Sequence, residues 1–254
     1  MPNCMAKLFV LILVFLLFAH CKNPLPKVNL VNTQDPDIVL VNIEEGDRDF
    51  IGKVLLKIDS LDPVVIGIDA FFQAQKSRSE DSVLVAALRK IDNDILPYDM
   101  NSQNELDESA PIFSQLAKDK GFLKFDRTLG LITTMTPIPK IGNKPHESFA
   151  YKIVKNWKRD FTSDIDVNQQ IPINYQRPLE KFLRLDGSFL LGTTIDNFDL
   201  KNKVFLVGYI GPGTEDKYST PLRFADKELK HDEPDTYGLV IIANQIRTII
   251  DYKK

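Results

Sequence analysis

Cysteine is almost missing from this chain. Its 254 residues hold two, Cys4 and Cys21, both at the N-terminal end. The remainder therefore has no intrachain disulfide, no thiol nucleophile and no thiolate zinc site. Histidine is as scarce: beyond Cys21 there are only His146 and His231, far apart in sequence and without a partner one helical turn away, so a histidine-built metal site is not expected and both read as surface residues. Neither charge sign is in large excess, with 32 basic and 35 acidic side chains giving a formal net charge of -3, which removes the electrostatic case for nucleic acid as a partner. No Gly/Ser linker and no repeat divides the chain, so a single domain is expected.

Chemical signatures are missing too. Gly208 and Gly213 have the gap of a phosphate loop, but Thr214-Glu215 stands where Lys-Ser/Thr should follow, and acids there repel the anion. There is no Gly-x-Ser-x-Gly elbow and no His-Glu-x-x-His, so the chain is not expected to be an enzyme, and no cofactor is expected.

What is present is the profile of a globular protein, 43% hydrophobic and 26% charged. The run LFVLILVFLLFA, Leu8 to Ala19, is short for a membrane span of about 20 residues and fits a secretory core. Residues 1–21 are thus expected to be a signal peptide or membrane anchor, residues 22–36 a polar tether, and residues 37–254 the domain. The run ends LLFAHC, which resembles a bacterial lipobox with Cys21 as the lipidated residue; His20 departs from the small residue usual before that cysteine, which keeps an uncleaved anchor as the alternative.

Beyond the tether, strand and helix patterns alternate. IVLVNI (38–43) and VVIGIDAFF (64–72) read as buried strands. Phe50, Ile51, Val54, Leu55, Ile58 and Leu61 form a helical stripe, as do Val83, Leu84, Ala87, Leu88 and Ile91. Residues 101–110 read as a polar loop, 111–121 as a helix begun by Pro111 and ended by Gly121, and GFLKFD with LITTMTPI as a hairpin-like pair. HESFAYKIVKNWKRDF reads as an amphipathic helix, IPINYQ as a short strand and KVFLVG as the last strand. YGLVIIANQIRTIIDY closes the chain as a helix laid on the sheet, because Asn244, Gln245, Arg247 and Asp251 interrupt it, and a charge at a bilayer centre costs roughly 3 kcal/mol. The fold class expected is α/β, a mainly parallel central sheet flanked by helices.

The succession DIVLVNIEE, LDPVVIGIDAFF, SEDSVLVAAL, APIFSQLAKDKGFLKFD, IPINYQ, NKVFLVGYIGPGTEDKYSTPL and YGLVIIANQIRTII resembles the CHASE2 domain over about residues 30–252. Its most specific stretch is VFLVG followed by Asp216, Thr220 and Pro221, with Gly238 opening the helix behind; next is the IGID strand with Asp69. The resemblance implies an extracytoplasmic sensory module, attached to the membrane through its N-terminus, that binds a small ligand. In that family the module precedes transmembrane helices and a kinase or cyclase; the sequence ends without such a part, so a separate signalling effector is expected to carry the message. Two departures stand out: the first crossover lacks a Trp-Pro-Arg region, and Arg127-Thr128-Leu129-Gly130-Leu131 replaces a familiar Asp-Gly-x-x-Arg.

In a parallel sheet, ligands bind at the carboxyl ends of the strands. That edge offers Glu44 after the first strand, Asp69 on the second, and Asp216 and Thr220 after the last; these four are the candidate ligand-binding residues, suited to a cation or an amine. The competing reading is that Asp69 caps the next segment and that Asp216 and Thr220 hold a turn. Two other functions remain open: a hydrolase holding a divalent cation on Glu44, Asp69 and Asp216, and a docking lipoprotein using the 101–110 or 227–235 segments.

Overall fold

The computed structural model describes residues 28–192, 198–225 and 233–252. The leader with Cys21, the first part of the tether, His231 and part of the 227–235 segment lie outside the described residues. Among the described residues no helix is long and apolar enough to cross a membrane.

The sheet elements in chain order are β1 (Ile38–Asn42), β2 (Val65–Ile68), β3 (Asp94–Met100), β4 (Leu106–Glu108), β5 (Asp119–Phe122), β6 (Leu183–Asp186) and β7 (Val204–Gly208). The helices are α1 (Arg48–Asp59), α2 (Arg78–Lys90), α3 (Phe149–Trp157), α4 (Gly187–Gly192) and α5 (Gly238–Asp251). Strand order is β6-β1-β7-β2-β3, with β5 beside β3 and every one of these pairs parallel; only β4 runs antiparallel, against the far end of β3. The α/β class and the mainly parallel sheet are as the sequence indicates.

β1, β2 and β7 carry no charged residue because both their faces are covered. Ile38 and Leu40 of β1 and Val204 and Leu206 of β7 point into one core, shared with α3 and α5. Val39, Val41, Phe205 and Val207 point into the other, shared with α1 and α2. The period-two alternation of side chains thus feeds two separate cores and makes a three-layer sandwich. Caps fix where helices begin. Asp47 accepts from the Phe50 amide at 2.8 Å ahead of α1, Ser77 and Glu80 form a reciprocal capping box ahead of α2, and Ser148 accepts from Tyr151 ahead of α3.

Three expectations are corrected. The 101–110 segment is not all loop, since β4 returns antiparallel to β3. The helix expected over 111–121 is a single turn, Pro111–Ser114, and Asp119–Phe122 is strand β5. Packing decides this: Gly121 presses on the first residue of α3, where a Cβ would lie 2.4 Å from the Phe149 Cα, so its glycine serves close approach rather than a helix stop. The hairpin expected from 121 to 138 is replaced by a tight reversal at Leu129-Gly130, both at positive φ, after which Thr134–Met135 pairs with Ile171–Pro172 away from the main sheet.

One ionic cluster ties the ends of the domain together. The Asp35 carboxylate is fully buried and meets Arg177 at 3.1 Å and Arg247 of α5, which also holds Asp37 at 2.8 Å. The segment entering β1 is thereby locked to the last helix.

Candidate functional site

β1, β7 and β2 are adjacent and parallel, so their carboxyl ends open on one edge of the sheet. Beside that edge lies a cleft of about 430 Å³, lined by Asp69, Phe71, Asp99, Lys124, Phe125, Arg127, Tyr209, Asp216 and Tyr218, among others. Its size is that of a small-molecule site. Asp69 is placed by the sheet itself: its amide donates to Val207 of β7 at 2.7 Å, continuing the ladder past the end of β2. Asp216 is placed by α5. The Gly238 amide donates to the Asp216 carbonyl at 3.0 Å, and a Cβ on Gly238 would stand 2.9 Å from the Asp216 carboxylate. Gly238 is therefore the residue that lets this carboxylate reach the positive end of a long helix.

The loop between β7 and Asp216 is pinned from three sides. The buried side chain of Asn42, at the end of β1, accepts from the Ile210 amide at 2.8 Å and donates to Asp186 at 3.0 Å. Tyr237 donates to the Gly211 carbonyl at 2.6 Å, and Tyr209 donates to Glu45 at 3.0 Å. A run of glycine and proline after an apolar strand thus becomes one fixed wall of the cleft.

Electrostatically the cleft is divided. Burial, with the neighbouring Asp216 charge as the second cause, pushes the Asp69 carboxyl up to about 7. Asp216 is pushed up to about 6 by burial, against the opposing hydrogen bonds from Tyr218 and Gly238. Tyr218 is in turn pushed up to about 12 by burial and by both carboxylates. No hydrogen bond or ion pair among the described residues reaches the Asp69 carboxylate. On the side that follows β5, among the described residues, the exposed Lys124 meets Asp99 alone, at 3.9 Å, and the guanidinium of the exposed Arg127 lies 5.3 Å over the Tyr218 ring with no ion pair. Phe125 meets Tyr218 edge-on at 5.0 Å. The arrangement can hold a cationic group on the carboxylates, an anionic group on Lys124 and Arg127, and an apolar body between aromatic faces.

The four sequence candidates part company here. Asp69 and Asp216 line the same cleft. Glu44 lies on the same edge, but its carboxylate accepts from both the amide and the hydroxyl of Ser188, at 3.1 and 2.7 Å, at the start of α4. Thr220 is fully buried; its hydroxyl bonds Thr236 at 2.8 Å and Asp235 at 3.2 Å and accepts from the Leu222 amide. Among the described residues no group of three or more His, Cys, Asp and Glu is placed to hold a metal ion. His146 is partly buried rather than free on the surface: its Nδ1 lies 2.9 Å from the Tyr98 hydroxyl, within an aromatic cluster that includes Phe122. Sequence reasoning missed Asn42, Tyr218 and Arg127. For Asn42 the polar end of an otherwise apolar strand was the available signal.

A family model of the CHASE2 domain matches residues 13–254. The chain belongs to that family, whose members are extracytoplasmic sensory domains. Comparison with curated proteins and with solved structures found no match.

Proposed function

We propose that this CHASE2 protein senses a small ligand outside the cytoplasm, bound in the cleft between Asp69 and Asp216, and that it performs no catalysis. The single observation that carries the reading is Asp69: a half-buried carboxylate with no hydrogen-bond or ion-pair partner among the described residues, set in the wall of a cavity of ligand size. A fold optimised for stability alone would neutralise or pair such a group. Glu44 and Thr220 enter the proposal as supports, one steadying the start of α4 and the other the loop that carries Asp216. In this reading residues 1–21 deliver the domain and attach it to the membrane, through lipidated Cys21 or as a retained anchor, residues 22–36 are the tether, and residues 37–254 are the sensor acting on a separate effector.

The hydrolase reading finds less support, since only two of its three carboxylates share the cleft, and a hard divalent cation wants six to eight oxygens or so. The test is thermal unfolding of the full chain in detergent micelles, with and without a panel of cations and small metabolites. Ligand at a hundred times its Kd adds about 2.7 kcal/mol. A shift abolished in Asp69→Ala and Asp216→Ala supports the cleft. Equal loss of folding in both, with unchanged response per folded molecule, makes the two carboxylates structural. The mass of the mature N-terminal peptide distinguishes lipidated Cys21 from a retained leader.

A further inference from the structure

We infer that the ligand is a small organic zwitterion of amino-acid type, its ammonium group held by Asp69 and Asp216 and its anionic group by Arg127 and Lys124. This rests on the cleft reading above and goes on to the chemistry of the occupant. The chain topology separates the charges. The carboxylates arrive from the end of β2 and from the loop after β7, whereas Lys124 and Arg127 arrive from the segment following β5, on the far side of β3. Neither half is fully paired within the protein: among the described residues nothing pairs with the half-buried Asp69 carboxylate, the solvent-exposed Arg127 has an aromatic face beneath it, and the solvent-exposed Lys124 has one distant carboxylate.

A bare metal ion matches half of this cleft at most, because two cationic side chains line the same space and most of the remaining wall is apolar or aromatic. A plain anion meets the same objection from the three carboxylates that line it, Asp69, Asp99 and Asp216. An ammonium compound without an anionic group leaves Arg127 and Lys124 unanswered. A molecule that carries both charges on a compact frame satisfies both halves, and the Phe125, Tyr209 and Tyr218 rings accept its ammonium or its carbon body. The cleft, at about 430 Å³, has room for such a molecule.

The experiment is a thermal-shift comparison on the full chain in micelles with four probes: a pool of the common amino acids, a pool of their methyl esters, a pool of their N-acetyl derivatives, and calcium chloride. The free pool is expected to raise Tm most, the esters less, and the N-acetyl pool and calcium not at all. Deconvolution of the free pool then gives a Kd that Asp69→Asn raises by about ten- to a hundredfold, the loss of one charge-assisted contact. Arg127→Gln is expected to remove the difference between free amino acids and esters while the fold is kept. An N-acetyl response equal to the free one, a response to calcium alone, or no response to any pool overturns the ligand class and leaves the cleft standing. A free-pool response that survives in both Asp69→Asn and Asp216→Asn overturns the cleft reading as well.

Discussion

Replacing Asp69 by asparagine should stabilise the protein in alkaline solution while disabling its site. The carboxyl is raised from an ordinary 3.8 to about 7, so the folded chain keeps a proton that the unfolded chain has released. Stability from this group is fully present below the unfolded value and is lost as pH rises through the folded one. Each pH unit across that interval costs about 1.4 kcal/mol. Between about pH 5 and about pH 7 the bound is thus about 2.7 kcal/mol, and above that the loss is complete. Asp69 is partly exposed, and screening by water reduces the figure to about 1 to 2 kcal/mol. Asparagine has no such proton to lose. Relative to the parent, Asp69→Asn is therefore expected to gain about 1 to 2 kcal/mol on going from about pH 5 to about pH 8, or ~3 to 6 °C in Tm for a domain of this size. Urea unfolding of parent and variant at the two pH values reads the difference, because titrating groups away from the cleft cancel. A variant whose stability runs parallel to the parent across that range refutes the argument, since it shows that the Asp69 carboxyl is not raised in the folded chain.

Asp94 supplies a control away from the cleft: it is fully buried, one of its carboxylate oxygens lacks a partner, and burial raises it to about 7, so Asp94→Asn should show the same pH-dependent gain in urea unfolding with no change in ligand response. Gly238→Ala should lower Tm and weaken ligand response together despite alanine's better helix propensity, because the added methyl meets the Asp216 carboxylate at 2.9 Å. Arg247→Ala should cost about 3 kcal/mol in chemical denaturation, the cost of leaving the buried Asp35 carboxylate with Arg177 alone. Thr220→Val should cost about 1 to 3 kcal/mol by stranding Asp235 and Thr236, with ligand response per folded molecule kept.

How much of this was readable in the sequence depended on how local each cause was. β1, β2 and β7 are apolar at every step but Asn42 because two cores cover them, and α1, α2 and α5 carry plain apolar stripes; these elements were legible. β3 was not, because DILPYDM begins with a buried acid and carries Pro97, which argues against a central strand; its pairing with β2 covers only Asp94 and Ile95. β6 hides in LRLD, four residues with two charges, whose place is fixed by parallel pairing with β1. Residues 111–121 follow helix rules locally and are overruled by the contact of Gly121 with α3.

The site divides in the same way. Asp69 and Asp216 stand at or just beyond strand ends, where topology alone points to a ligand edge. The partners that give them their chemistry come from elsewhere in the chain: Tyr218 donating to Asp216, Arg127 over Tyr218, and Asn42 holding the loop. None of those contacts has a signature in local spacing. Glu44 shows the converse, an acid at the right edge whose carboxylate is taken up by Ser188.

The most direct test of the central claim, that Asp69 and Asp216 share one sequestered cleft, is a carbon-13 titration of their side-chain carboxyls in the full chain. Midpoints near 7 for Asp69 and near 6 for Asp216 are predicted, with the Asp69 midpoint falling when Asp216 is changed to asparagine. Two midpoints near the ordinary 3.8, each indifferent to the other residue, would contradict it.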